Sequence, residues 1–505
     1  MDLKCIFSLA ILVSQISLSS TQNVNIVIQG ATSISETYDN FVCATLDWWP
    51  TDKCNYNQCP WGKAGLLNLE RIFYSFNPLR IKVGGSLQDQ VVYGVGGVKN
   101  CPNFMKNEDS LFGFSQGCLP MERWDELNKI FNQTGLVTFG LNALLERNRS
   151  QIEKGLWDFM KYTISKGYKV DSYEFGNQLS GAGMGASVEA EQYGKDIVVL
   201  KNLVKELHPD PKTQPKVLGP SGYYDLKWFN SFLEVSGHDV VDGVTHHIYN
   251  LGPGDDPNMI TKIQDPSYLN QVAQTYKGVL NIVNKFKPQS EAWVSESGGA
   301  LHGGAKDLSP TFADGFWYLD QLGMASTYNH KVFYRQTLID GNYALLNTTT
   351  SIPNPDYYGA LLWHRLMGST VLAVTQESNP NLRVYAHCAK KKPGISIIFI
   401  NLSKDSSFNV TLSNYEHQSR NSRSTDVANP EFRGSKDREE YHLAALAGNI
   451  QGQIVLLNDV PMVPTETFDI PTMEPKLVNS STPISIAAHS IVYVTIRDFQ
   501  APAYA

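Results

Sequence analysis

The chain has 505 residues, of which 42% are hydrophobic and 18% charged, and a formal net charge of -7. That length exceeds one ordinary domain, and that composition is globular, which predicts a large domain with a smaller module. An acidic balance without a long basic run argues against nucleic acid as a partner.

Residues 1–22 read as a secretory signal. Lys4 supplies the positive start, Ile6 to Leu18 an apolar run broken by polar residues, and Ser19-Ser20-Thr21 a small-residue exit. The run is too short and too polar for a membrane span, and no second one follows. The mature protein is therefore expected to be soluble, entering the secretory route toward the cell exterior, wall or vacuole. Loss of Cys5 with the signal leaves Cys43, Cys54, Cys59, Cys101, Cys118 and Cys388. An even count in a secreted chain favours disulfides, with about fifteen connectivities open. Cys54 and Cys59 lack the second ligand pair of a zinc site, which makes metal the weaker reading. Sequons at Asn132, Asn148, Asn347, Asn401, Asn409 and Asn479 fit a glycoprotein.

Asn23 to Gln29 alternates polar and apolar residues and predicts a strand that pairs far along the chain. Phe41–Pro50 and Leu79–Gly85 are further strands, and Val91 to Cys118 is a Gly-rich polar loop without periodicity. From Arg123 the period changes. Helices over 123–134, 156–166, 189–207, 225–235 and 268–286 alternate with strands over 136–142, around Glu174, over 216–220, 243–249 and around Glu296. So many βαβ units favour a (β/α)8 barrel that closes near Leu361–Met367. Beyond it, Val- and Ile-rich runs at 382–388, 394–401, 408–412, 451–457 and 490–497 have the spacing of a β-sandwich. The polar tract from His417 to Asp437 is expected to be a surface loop. The predicted domains are thus 23–40 as an N-terminal strand, 41–370 as barrel and 371–505 as sandwich.

Two strand ends carry the candidate chemistry. Tyr173-Glu174-Phe175 breaks into Gly176-Asn177-Gln178, and Ala292-Trp293-Val294-Ser295 ends in Glu296 before Ser297-Gly298-Gly299. The C-terminal mouth of barrel strands is where such enzymes hold their reacting groups, and paired strand-end acids suggest glycoside hydrolysis. An amide at Asn177 could bond a sugar 2-hydroxyl. The competing reading of Glu296 is a capping or ion-paired acid. Alternation sends His247 and Tyr249 to one face and His246 to the other. The histidine pair has no third ligand in metal spacing, so hydroxyl binding or a core role is preferred. Arg335-Gln336 and Asn342-Tyr343 could bind a substrate carboxylate or hydroxyls, or serve local structure.

The segments CATLDWWP, CNYNQCPWG, GGSLQDQVVYG, RWDELN, FGLNALLERN, EFGNQLSG, VTHHIYNLGPG, FWYLDQLGMAS, RQTLIDGNYALLNTTT and NPDYYGALLWHRLMGS resemble the plant heparanase-like proteins of glycoside hydrolase family 79, which include the baicalin β-glucuronidases. The matches run from about Phe41 into the C-terminal module. The resemblance implies a TIM barrel whose β-sandwich takes the N-terminal strand, and retaining hydrolysis of β-glucuronides by two glutamates in an uncleaved, monomeric chain without cofactor or metal. By resemblance Glu296 matches the nucleophile. Asp47, Ser86, Asn177, His247, Tyr249, Gln336 and Tyr343 match sugar-subsite positions, and Gly303 falls where backbone amides meet the glucuronate carboxylate.

Two positions depart from the pattern. The acid/base glutamate falls on Gln178, and a tyrosine usual after the nucleophile is Leu301. An amide can neither give nor take the proton, a loss of typically 10²–10⁴ in rate, or roughly 3–5 kcal/mol of barrier. Glu174 and His302 are conceivable stand-ins. Three readings follow: a retaining enzyme restricted to activated leaving groups or non-water acceptors, a sugar-binding protein that has lost turnover, and an ordinary β-glucuronidase with an engineered Gln178.

Overall fold

The computed structural model describes residues 20–48, 75–96, 98, 100–144, 149–181, 185–376, 379–414, 437–466 and 469–497. Most of the expected signal segment with Cys5, the residues Cys54, Cys59 and Asn148, and the polar tract up to residue 436 lie outside them.

An N-terminal strand, β1 (Ser20–Glu36), precedes eight barrel strands: β2 (Val42–Asp47), β3 (Leu79–Gly84), β4 (Gly135–Leu141), β5 (Ser172–Phe175), β6 (Lys216–Tyr223), β7 (Gly243–Ile248), β8 (Glu291–Ser297) and β9 (His330–Arg335). They pair in parallel in chain order, and β9 closes on β2 through Phe333–Val42, Tyr334–Cys43 and Arg335–Ala44. The expected (β/α)8 barrel is therefore present. Its closing strand lies earlier than Leu361–Met367, which instead ends the helix Pro355–Leu366 and starts a strand, Met367–Gln376. The helix predicted over 268–286 is two, Pro266–Asn270 and Ala273–Phe286. The stretch after Val91 is not wholly irregular: Val91–Tyr93 pairs with Gly117–Leu119, and Cys101 is bonded to Cys118. Cys43 and Cys388 are buried free thiols, one in the barrel and one in the C-terminal sheet.

The C-terminal residues form a mixed sheet of eleven strands that includes β1. β1 lies between Met367–Gln376, antiparallel, and Ser406–Asn414, parallel. The sheet folds over its own core: Phe408, Val410, Ile484 and Ile486 from one end pack with Ile395, Ile397, Val492 and Val494. Its other face meets the barrel's last two long helices. There Asp320 receives Arg383 at 2.8 Å and the Tyr385 hydroxyl at 2.6 Å, and the Tyr493 hydroxyl donates to the Gly359 carbonyl at 2.9 Å. Asn401 is buried and donates to the carbonyls of Ser406 and Ala487, both at 2.8 Å, so this sequon presents no free amide for a glycan. No helix among the described residues is long and apolar enough to cross a membrane.

Of the two readings of Arg335, local structure is the one that holds. The side chain does not reach the mouth. At the end of β9 it points outward into the helical layer, fully buried, with Asp314 at 2.6 Å and Asp356 at 2.8 Å. Its Nε donates to the Tyr343 carbonyl at 2.9 Å, and the guanidinium lies 4.7 Å from the Tyr318 ring centre. Removing one partner of a buried ion group strands the others without solvent, at a cost of about 3–5 kcal/mol. Arg335→Met is expected to lose stability on that scale in urea unfolding. A loss below about 1 kcal/mol would contradict the clamp.

Candidate active site

The mouth is assembled from strand ends. β8 is buried on both faces from Ala292 to Ser297, and Glu296 stands near its C-terminal end, 5% exposed. The Tyr249 hydroxyl, just past β7, donates to Glu296 Oε1 at 2.6 Å. The rings of Tyr249 and Tyr343 close over Gly298, where a Cβ would stand 2.9 and 2.8 Å from them. Glycine is what lets both rings pack this closely beside the strand end, with the Tyr249 hydroxyl on the carboxylate.

Past β5 the chain turns at Gly176, and Gln178 adopts a left-handed φ of 56°. Its amide N–H donates to the carbonyl of Ser221 at 2.7 Å, and its side-chain nitrogen lies 3.0 Å from His247 Nδ1. The same Nδ1 is 3.8 Å from Glu296 Oε1. Gln178 and Glu296 therefore flank one imidazole. Asn177 is buried beside them. Its backbone N–H donates to Asp89 Oδ2 at 2.7 Å, and its side-chain oxygen has no hydrogen-bond partner. A buried amide oxygen without a partner is a group awaiting a donor such as a hydroxyl.

Across the mouth, Gln336 donates to Asp47 Oδ2 at 2.7 Å and receives the Thr45 hydroxyl. Asp47 packs over Gly85, whose φ is +93° and where a Cβ would meet the carboxylate at 2.5 Å. Ser86 stands half-buried next to it, without a bond to the Glu296 group. Gly303 is buried, and its carbonyl accepts from Asn342 N–H at 2.7 Å, which ties the loop after β8 to the loop bearing Tyr343. The burial of Tyr343 raises its hydroxyl's pKa well above the usual value, and Asp47 and Glu296 add to this. The residues expected at the mouth thus gather there, with Ser86 and Gly303 at its edges. His246 does not: it points outward to His330, 2.9 Å away, and Tyr276.

Three groups went unnoticed in the sequence. Lys82, in the middle of β3, is fully buried inside the barrel and pairs with Glu174 Oε2 at 2.7 Å. It also donates to Ser221 Oγ at 3.0 Å, and Ser221 Oγ lies 3.0 Å from His247 Nε2. Tyr223, two residues on, has its ring centre 6.3 Å from His247 and bonds Gln178. These contacts decide the two stand-ins. Glu174 is committed to Lys82 beneath the mouth, and His302 is exposed.

Burial pushes the Glu296 carboxyl up to about 7; Lys82 and the Tyr249 bond pull it back, while Asp47 and Glu174 push it further. Burial likewise raises Asp89 to about 7 against its two backbone N–H donors. His247 is driven well below the ordinary value by burial first and then by Lys82 and His246, so it is neutral. Among the described residues no group of three or more His, Cys, Asp or Glu side chains could hold a metal ion.

Residues 23–323 match the N-terminal domain of glycosyl hydrolase family 79, and the chain belongs to that family. It is 47% identical to heparanase-like protein 2 of Arabidopsis thaliana over 96% of each chain. It is 37% identical to the baicalin-beta-D-glucuronidase of Scutellaria baicalensis, over 91% of this chain and 90% of that one. In fold it is similar to an arabinofuranosidase of family 51 from Xanthomonas axonopodis pv. citri, with a TM-score of 0.67, 14% identity, and coverage of 94% of this chain and 100% of that one.

Glu296 has a stability consequence with a definite sign. Its folded-state value of about 7 exceeds the ordinary 4.5, so the folded chain keeps a proton that the unfolded chain has released. Its contribution to stability therefore falls as pH rises from about 4.5 to about 7. Glu296→Gln is expected to melt higher than the parent near pH 8, with the gap closing near pH 4. A gap that does not change with pH in thermal melts would contradict the raised value.

Proposed function

We propose that the chain is a retaining glycosidase acting on β-glucuronides. Glu296 is the nucleophile and Gln178 stands in the acid/base place, so activated leaving groups or non-water acceptors are favoured. The observation that carries this reading is the shared imidazole. Gln178 Nε2 and Glu296 Oε1 lie 3.0 and 3.8 Å from the same His247 nitrogen. Their separation cannot exceed the sum of those two distances. That closeness is compatible with the spacing of about 5–5.5 Å between the paired groups of retaining enzymes.

In this reading Glu296 attacks the anomeric carbon and the bond to the leaving oxygen breaks. The Tyr249 hydroxyl orients the attacking carboxylate, and Asn177, with its unsatisfied oxygen, receives the 2-hydroxyl. The leaving oxygen departs as an anion, because no group at position 178 can protonate it. Phenolates of low basicity leave unaided, whereas alkoxides do not. In the second half-reaction, water finds no base at Gln178, and an acceptor that is already anionic attacks more readily. Glucuronides as the substrate class follow from the relatives, and Gly303 with its neighbouring loop is the proposed place for the sugar carboxylate. A secretory destination is proposed from the N-terminal sequence, and the Cys101–Cys118 disulfide favours an oxidising compartment.

A second reading, a sugar-binding protein of heparanase-like form without turnover, is favoured by one observation. Glu174 is held by Lys82 and His247 is neutral, so neither supplies the missing acid.

Intact mass after incubation with 2,4-dinitrophenyl β-glucuronide separates the two. A glucuronosyl adduct mapping to Glu296 is expected. Glucuronate binding with no adduct would leave the binding protein. The rate of adduct formation should climb as pH passes about 7 and then stay level, since nucleophile ionisation is required and no acid is lost. In Gln178→Glu the profile should become bell-shaped, and hydrolysis of unactivated glucuronides should rise by about 10²–10⁴. A variant no faster than the parent on them would remove Gln178 from the acid/base place.

A further inference from the structure

The hydrogen bonds beneath the mouth constrain where the His247 proton sits. The Lys82 amine can donate but not accept in its charged form, and it points at Ser221 Oγ from 3.0 Å. Ser221 is fully buried, and its oxygen lies 3.0 Å from His247 Nε2. If Nε2 carried the proton, Ser221 would receive two donors and its own hydroxyl hydrogen would be buried without an acceptor. Satisfying all three groups requires the Ser221 hydroxyl to donate to Nε2. A neutral imidazole then carries its one proton on Nδ1.

We infer that Lys82 and Ser221 are positioning residues: they fix His247 as the Nδ1–H tautomer, so that His247 donates to the carbonyl end of Gln178 and turns the amide NH2 toward the cleft. Which end of a side-chain amide faces a neighbour is settled by such donor and acceptor matching, since oxygen and nitrogen have nearly the same shape. The nitrogen that lies 3.0 Å from Nδ1 is thereby exchanged for oxygen. The leaving-group oxygen on the cleft side then faces a donor. Gln178 gains a positive role: it holds the departing oxygen by a hydrogen bond without giving up a proton. The depressed basicity of His247 agrees with a neutral ring. The inference about the leaving oxygen rests on the glycosidase reading; the tautomer does not.

Nitrogen-15 spectra of the full chain labelled at histidine test it without turnover, with His247→Gln used to identify the signals. The expected result is a protonated Nδ1 and an unprotonated Nε2 between about pH 5 and pH 8. A protonated Nε2 in the parent chain would overturn the inference outright. Ser221→Ala should shift the population toward Nε2–H. It should also slow adduct formation from dinitrophenyl β-glucuronide by about tenfold, with KM nearly unchanged. An unchanged spectrum in that variant would equally overturn the positioning role. If no adduct forms even in the parent while the spectra come out as expected, the glycosidase reading fails and the tautomer assignment stands.

Discussion

The mouth of this barrel is built over one buried ion pair, Lys82 with Glu174, 2.7 Å apart and both without solvent exposure. Either ion alone would carry an uncompensated desolvation cost of several kcal/mol. Once both are present, their remaining contacts set everything above them. Lys82 occupies Ser221, Ser221 occupies one nitrogen of His247, and the other nitrogen faces Gln178 and Glu296. The same ammonium opposes the burial that raises Glu296 and Asp89, and adds to the burial that keeps His247 neutral.

The amide at position 178 alters the site's electrostatics as well as its proton inventory. In a two-carboxylate site, repulsion from the ionised nucleophile raises the acid's pKa and keeps it protonated. Here no second carboxyl stands beside Glu296 on the His247 side, and Asp47 across the mouth is held by Gln336. The raised value of Glu296 therefore comes mainly from burial. Under the proposed assignment, one group must be ionised for the first step and none must be protonated.

Much of this architecture was legible because barrel strands and their ends have distinct signatures. The apolar run before Glu296 and the break after Phe175 marked two rims correctly. Parity separated His246 from His247, and the structure honours it. Other parts were hidden for identifiable reasons. The strand predicted over 216–220 does not stop at Pro220, although proline removes a ladder donor. It continues through a register shift between Gly219 and Gly222 instead, which carries Ser221 and Tyr223 to the mouth. Lys82 was lost inside an apolar strand, although Arg80, Lys82 and Gly84 share one parity, and Glu174 on β5 offered a countercharge. Two readings of Arg335 stood open because it adjoins Gln336: consecutive residues of a strand face opposite ways, and Arg335 takes the outward one.

The placement of β1 bears on how the chain is made. Its partners, Met367–Gln376 and Ser406–Asn414, lie more than three hundred residues downstream. During synthesis the first strand therefore emerges long before either neighbour exists, while every pairing between successive barrel strands from β2 to β9 can form in order. Until Gln376 has emerged both edges of β1 are open to any other extended chain, and one stays open until Asn414. Vectorial assembly thus leaves the beginning of the polypeptide to be clamped near the end. The pairing with Ser406–Asn414 ties this early strand into a sheet whose last strands, up to Ser490–Arg497, emerge later still.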